Sequence, residues 1–381
     1  MEIREHERGT SYCIHRCPVS VDRPDVVDHY QDPAISPQCG FSTQLMELGL
    51  PKHAELSLHA ITDSQDEIPF LKLNLERTVS HTDFIPNLRP IIVSTLGRTG
   101  STWLMQLLSK HPDIVVADQH PYETFALEFW LHLVAQQLIS PETRLSPVDQ
   151  RRFHRDFLDQ PERKAWFDQD YHRQVLRFCQ QSIESYYQSV AATQNRGSAG
   201  YFAEKIPYFS GDGNMTWRQL GAAVRELYPD ALEIVLVRDF RDMILSALHF
   251  GAQGKSPEEV EREKPTAYLN VVKEVSEFSA YYQLNRSNTL LVRYEDLMLD
   301  THATLGSIFK ALGISSDNKI LNRITCNKHE VAAEHKQHIT SKSITQSVQR
   351  WRSELAPQQQ ERYTEMFEQE LRLFGYDIRL S

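Results

Sequence analysis

The sequence predicts an α/β fold, a parallel β-sheet flanked by helices, and three observations carry that expectation. Residues Ile91 to Thr95 form a short β-branched run of the kind buried on both faces of a parallel sheet. Two later runs, Glu233 to Arg238 (EIVLVR) and Thr289 to Tyr294 (TLLVRY), have the same texture. Between and after these runs, apolar residues recur at helical spacing, so strands alternate with helices.

Taken in order, residues 1–88 read as an N-terminal extension or small β subdomain. Ala54 to Ala60 and Phe70 to Leu75 alternate apolar and polar residues, the mark of half-buried strands. From Pro90 the texture changes, and residues 89–381 read as one α/β domain. After the first strand, Trp103, Leu104, Leu107 and Leu108 mark a helix. Residues 140–200 interrupt the rhythm; they are rich in Gln, Arg and Tyr, and Tyr171 to Ala192 reads as one long helix within a helical insertion. Leu220, Val224 and Leu227 mark another helix. A further one carries Leu305, Ile308, Phe309 and Leu312, with Asp300 as its cap and Gly313 as its stop. The last helix starts near Pro357 and stops at Gly375.

Composition bounds the function. The 381 residues carry 41 Lys+Arg against 51 Asp+Glu, a net charge of −10, which argues against a nucleic-acid binder. At 40% hydrophobic, the chain can bury a substantial core without disulfides or a structural metal. No apolar run is long enough to span a membrane, and the charged start, Met1 to Arg8, has no secretory apolar region. Five scattered cysteines fit reduced thiols, so a cytoplasmic protein is expected. The spacing of Cys13, His15 and Cys17 matches no usual zinc pattern, and no metal is expected.

Two segments carry chemistry. Thr95-Leu96-Gly97-Arg98-Thr99-Gly100-Ser101-Thr102-Trp103 lies between a strand and a helix. At a helix start the first N–H groups lack internal partners and the dipole is positive, so an anion is favoured. Gly97 and Gly100 let the backbone curl, Arg98 adds charge, Ser101 and Thr102 add hydroxyls, and Thr99 is counted among the residues of the binding loop. A nucleoside-triphosphatase loop would have Gly-Lys-Ser/Thr, whereas here Ser101 follows Gly100. The second segment, Val235 to Ser246 (VLVRDFRDMILS), closes another strand and opens another helix.

Both segments resemble those of sulfotransferases that use 3′-phosphoadenosine 5′-phosphosulfate (PAPS). The glycine loop is similar to the loop that holds the 5′-phosphosulfate. Arg238-Asp239-Phe240-Arg241-Asp242, with Ser246, is similar to the 3′-phosphate signature. The resemblance implies a P-loop-like sulfotransferase fold of the bacterial or Golgi-type branch, with Arg238 and Ser246 on the 3′-phosphate. It also implies Tyr294, in Arg-Tyr-Glu-Asp-Leu, near the adenine; Trp103 either stacks on that base or fills the core. The C-terminal Arg-Lys-Gly element of cytosolic members is absent, leaving Lys342 and Ser343 as weak substitutes.

Sulfuryl transfer needs a base, charge stabilisation and an in-line acceptor. Arg98 and Lys205, in Glu204-Lys205-Ile206-Pro207, are the expected catalytic cations. His120 and Glu123, in the turn after His111-Pro112-Asp113, are the candidate bases. His120 suits proton transfer near neutrality, whereas Glu123 would need burial among Tyr122, Phe125 and Phe129. His249 is expected on a helix surface, and His329 and His335 have no role assigned. The implied acceptor is a hydroxyl of a small molecule or carbohydrate. A P-loop kinase, or a scaffold that binds nucleotide without turnover, is the alternative.

Overall fold

The computed structural model describes residues 2–7, 10–16, 19–41, 53–62, 66–76, 82–138, 169–207, 217–251, 271–283, 285–286, 289–326 and 347–379. The chain divides into two compact units, Met1–Thr82 with Val134–Leu176, and Asp83–Leu133 with Arg177–Ser381.

The first unit holds a four-stranded antiparallel sheet in the order β2-β1-β3-β4, from β1 (Glu2–Glu7), β2 (Thr10–Arg16), β3 (His53–Ile61) and β4 (Glu67–Glu76). A short helix, α1 (Pro24–Tyr30), starts at a proline. The two alternating runs of the sequence are β3 and β4. Strands β1 and β2 gave no such signal; Ile3 of β1 is buried. It joins Ala54, Leu56 and Leu58 in a small core.

The second unit is the expected parallel sheet, five strands in the order β6-β7-β5-β8-β9. The strands are β5 (Arg89–Thr95), β6 (Ile114–Val116), β7 (Tyr201–Pro207), β8 (Leu232–Val237) and β9 (Thr289–Arg293), each parallel to its neighbours. After β5 the chain runs to one side of it, through α2 (Ser101–Ser109), β6, α3 (Ala126–Leu138), α4 (Gln169–Thr193) and β7. It then crosses to the other side through α5 (Trp217–Leu227), β8, α6 (Phe240–Gly251) and β9. The loops after β5 and β8 therefore leave adjacent strands at the same sheet edge, the switch point where doubly wound sheets form their crevice. Beyond β9 follow α7 (Tyr294–Leu299), α8 (Thr301–Leu312), α9 (Asn318–Thr325), α10 (Trp351–Glu354), α11 (Pro357–Met366) and α12 (Glu368–Leu373).

Packing explains these elements. Ile91, Val93, Ile234 and Leu236 are buried against Leu104, Leu107 and Leu108 of α2 and Leu305, Ile308 and Phe309 of α8. Burying each such side chain stabilises the fold by about 1.5–3 kcal/mol. The predicted cap of α8 is present, with the Asp300 carboxylate accepting the Ala303 N–H at 3.0 Å. Its predicted stop is also present, with Gly313 left-handed at φ 69°. The final helix, expected to be continuous, is broken at Phe367 into α11 and α12.

One buried network lies beside the central strand. The Glu233 carboxylate, on β8, accepts the Tyr281 hydroxyl at 2.6 and 2.7 Å and the Ser94 hydroxyl of β5. Tyr281, in the helical stretch 271–283, lies directly on Gly221 of α5, and a β-carbon there would meet its ring and sit 2.7 Å from its hydroxyl. Gly221→Ala should therefore destabilise the protein by about 1–3 kcal/mol, read as an earlier urea midpoint with unchanged slope.

Candidate functional site

The loop between β5 and α2 is tied to itself first. The Thr99 hydroxyl donates to the Leu96 carbonyl at 3.0 Å and bonds the Thr95 hydroxyl, and both threonines are buried. Thr99 thus holds the loop together. Gly100 caps α2 at φ 85°, and a β-carbon there would stand 2.5 Å from the ring of Tyr294, so only glycine fits. Gly97 has open space beside it. The other left-handed residue in the loop is Arg98, at φ 67°, a conformation that costs a non-glycine about 1–3 kcal/mol and clusters at ligand clamps.

That backbone turn sends the Arg98 side chain toward α6. Its Nε donates to the Ser246 hydroxyl at 3.3 Å, and its guanidinium lies 4.4 Å from the centre of the Phe250 ring. The guanidinium therefore stands on the Ser246 side of the loop. Arg238, at the end of β8, meets the same spot. It donates to the Arg98 carbonyl at 3.2 Å and to the Ser347 carbonyl at 2.6 Å, and stacks 4.5 Å from the Tyr294 ring centre. Its Nε is buried with no hydrogen-bond partner among the described residues. Burial, and then the charge of Arg238, pull the Arg98 pKa down. Arg98, Arg238, Ser246 and Tyr294 thus form one cluster that carries two positive charges. The second arginine of the motif faces inward: Arg241 is ion-paired to Asp239 at 2.7 Å and lies 3.7 Å from the centre of the Trp351 ring.

A second cluster lies at the end of β7. Lys205, almost fully buried, donates to Glu123 at 2.7 Å and to the Thr102 hydroxyl at 3.2 Å. Burial lowers the Lys205 pKa, and Glu123 opposes that shift. The apolar burial expected of Glu123 is not found: its side chain is 29% exposed, Phe125 and Phe129 are exposed, and its neighbour is a cation. The adjacent residue, Glu204, points to the opposite face of the strand, as period-two alternation requires. Its carboxylate accepts the Leu127 N–H at 2.9 and 3.0 Å and the Tyr187 hydroxyl, clamping the start of α3. One dipeptide therefore fixes the turn that carries Glu123 at both ends. Burial pushes the Glu204 carboxyl up. It also lifts Glu128, in the first turn of α3, to about 7, with Glu204 adding to the shift.

The remaining expectations resolve as follows. Ser101 opens α2 and is buried. Trp103, partly buried, packs against the main core. His120 is half-buried, with its ring 6.4 Å from that of Tyr122, and no bond described here joins it to Lys205 or Glu123. His111 is structural: its Nε2 donates to the Ser315 carbonyl at 2.9 Å, and its Nδ1 accepts the Asp113 N–H. His249 is exposed and bonded to Arg350, as expected of a helix surface. His329, His335, Lys342, Ser343 and Cys17 lie outside the described residues. Sequence reading missed Ser347, which binds Arg238 through its carbonyl and Tyr294 through its hydroxyl at 2.8 Å. No motif surrounds it, and a backbone acceptor leaves no trace in residue type. Among the described residues no group of three His, Cys, Asp or Glu is arranged to hold a metal, and no helix is long and apolar enough to cross a membrane.

A parallel sheet with two basic loops at its switch point defines an α/β protein of the doubly wound kind. Residues 90–318, more than half of the chain, match the model of the sulfotransferase family, and the chain belongs to that family. Among solved structures it is similar to the sulfotransferase domain from the curacin biosynthetic pathway, at 16% identity over 77% of this chain and 99% of that one (TM-score 0.43). It is also similar to sulfotransferase STF9 from Mycobacterium avium (15%, 77% and 78%, 0.42) and to mouse sulfotransferase SULT7A1 complexed with PAP (13%, 74% and 84%, 0.40). No curated protein matches the chain.

Asp242 gives this site a pH signature. Fully buried in the first turn of α6, it accepts the Trp351 N–H at 2.8 Å, and its Oδ2 has no hydrogen-bond partner among the described residues. Burial raises its pKa from 3.8 to about 7, against the opposing charge of Arg238. The native state thus holds a proton that the unfolded chain releases, so this stabilisation is whole below about pH 4 and lost as pH rises through about 7. Asp242→Asn should flatten that part of the stability–pH curve, measured by urea unfolding between pH 4.5 and 7.5, leaving the parts due to Glu128 and the other buried carboxylates, Glu204, Glu233 and Glu295.

Proposed function

We propose that the chain transfers the sulfuryl group of PAPS to a hydroxyl of a small-molecule or carbohydrate acceptor. The observation that carries this reading is the convergence of Arg98 and Arg238 on one pocket at the sheet's switch point, in a member of the sulfotransferase family. Arg238, Ser246 and Arg98 hold the 3′-phosphate. The curled backbone of Gly97 and Gly100, with Ser101 and Thr102 at the start of α2, receives the 5′-phosphosulfate. Tyr294 borders the adenine.

Lys205 stands beside Thr102 and stabilises the charge that grows on the bridging oxygen as the S–O bond breaks. The acceptor oxygen attacks sulfur in line, its proton passes to a base, and 3′-phosphoadenosine 5′-phosphate (PAP) leaves. Glu123 is the better-supported base, because its carboxylate lies 2.7 Å from Lys205, so proton acceptor and leaving-group cation are neighbours. No metal takes part in this scheme.

Titration calorimetry with PAP, and with ATP in the presence and absence of Mg²⁺, tests the donor site. PAP should bind without metal, and a preference for ATP–Mg²⁺ would replace this reading with a kinase-like one. Arg238→Ala should weaken PAP by about 1.5–3 kcal/mol, roughly ten- to hundredfold in Kd, by removing a charge-assisted contact. Glu123→Gln should lower kcat for labelled sulfate transfer at least tenfold while PAP affinity holds. If His120→Asn shows that pattern and Glu123→Gln does not, the base is His120.

A further inference from the structure

The turn that carries Glu123 leads directly into α3, whose first residue is Ala126. Tyr122 and Phe125 stand in it at φ 66° and 51°, left-handed conformations that strain a non-glycine residue and need outside support. Phe125 also occupies the place where a helix calls for a capping Ser, Thr, Asp or Asn. Its carbonyl accepts an early helical bond, from the Phe129 N–H at 2.9 Å, but its side chain has nothing to offer the free N–H groups. The missing cap comes from the sheet. The Glu204 carboxylate accepts the Leu127 N–H at 2.9 and 3.0 Å and reaches the Glu128 N–H at 3.4 Å. The Tyr187 hydroxyl, from α4, donates to the same carboxylate. That ring is itself pinned, stacked 4.0 Å from Phe202, which shares a strand face with Glu204. Burial and then the Glu204 charge keep the Tyr187 hydroxyl protonated, so it remains a donor.

Strand β7 gives this arrangement its rigidity. It lies between β6 and β5 and pairs with both, so its backbone has little freedom. Glu204 and Lys205 are two fixed posts, about 3.3 Å apart along the strand. One holds α3 through Leu127, and the other meets Glu123 at 2.7 Å. We infer that Glu204 is a positioning residue: by capping α3 from the sheet it sets where the turn delivers the Glu123 carboxylate, and so keeps that carboxylate on the Lys205 ammonium. Its effect on turnover rests on the proposed sulfuryl transfer, with Glu123 as the base; the placement of Glu123 against Lys205 does not.

Full-chain variants are assayed for labelled sulfate transfer from PAPS, with PAP affinity by calorimetry as the check on folding. Glu204→Leu should lower kcat about ten- to hundredfold and leave the KM for PAPS within about twofold, as expected of a base displaced by about 1 Å. Glu204→Gln, whose amide oxygen still accepts an N–H, should recover part of that loss, and it carries the test if Glu204→Leu fails to fold. In a Glu123→Gln background the same substitution should lower kcat by less than about twofold, because the group being positioned is already gone. Equal losses in both backgrounds, or an unchanged kcat, overturn the inference. A second readout needs no turnover. Glu123 opposes the fall of the Lys205 pKa, so Glu204→Leu should move that pKa further down, followed by NMR on ¹³C-labelled lysine and assigned with Lys205→Arg. An unmoved Lys205 overturns the inference. A shifted Lys205 in a chain that transfers no sulfate upholds the clamp and sinks the sulfuryl-transfer reading.

Discussion

Two guanidinium groups held close in a half-desolvated pocket dominate this structure. Arg98 and Arg238 repel each other, and burial removes much of the water that would screen them. The chain tolerates the pair by surrounding it with electron-rich groups. The carbonyls of Arg98 and Ser347 face Arg238, and the rings of Tyr294 and Phe250 lie under the two cations. The field of such a pair attracts anions. Much of the surrounding architecture maintains it: the strand order that sets β5 beside β8, the left-handed Arg98, and the glycine at 100 that lets Tyr294 approach.

Strand β7 is the second organising element, and its alternation does unusual duty. A buried parallel strand ordinarily reads as an apolar run, yet β7 places Glu204 and Lys205 side by side in its interior, both almost fully buried. Each has partners that make its burial tolerable, the N–H groups of α3 for one and Glu123 for the other. The polar dipeptide thereby couples the sheet to the turn at 119–125, where Tyr122 and Phe125 also adopt positive φ.

How much of this was legible in the sequence follows from the range of the interactions. Strands β5 and β8 announce themselves because both faces are buried, so nearly every residue is apolar, and the partly buried edge strand β9 carries the same kind of run. The α8 cap and stop are local, and Asp300 and Gly313 stand where the sequence puts them. Strand β6 has three residues, too few for a periodic signal, and β7 is disguised by its charges. The two motifs that carry Arg98 and Arg238 were legible as a pair. The direction of the Arg98 side chain was not, because one positive φ decides it. Glu123 was singled out by residue type, and its environment was misjudged, since its partner, Lys205, is 82 positions away. Ser347 and the clamp by Glu204 involve main-chain atoms, which every residue offers alike.

The tethering of Arg238 has a consequence for the energetics of recognition. A long arginine side chain carries about 2 kcal/mol of rotamer entropy. Here that freedom is surrendered when the chain folds, because two carbonyls and an aromatic face already fix the guanidinium. A ligand that replaces a neutral carbonyl with an ionised oxygen gains the stronger bond without having to order the side chain again.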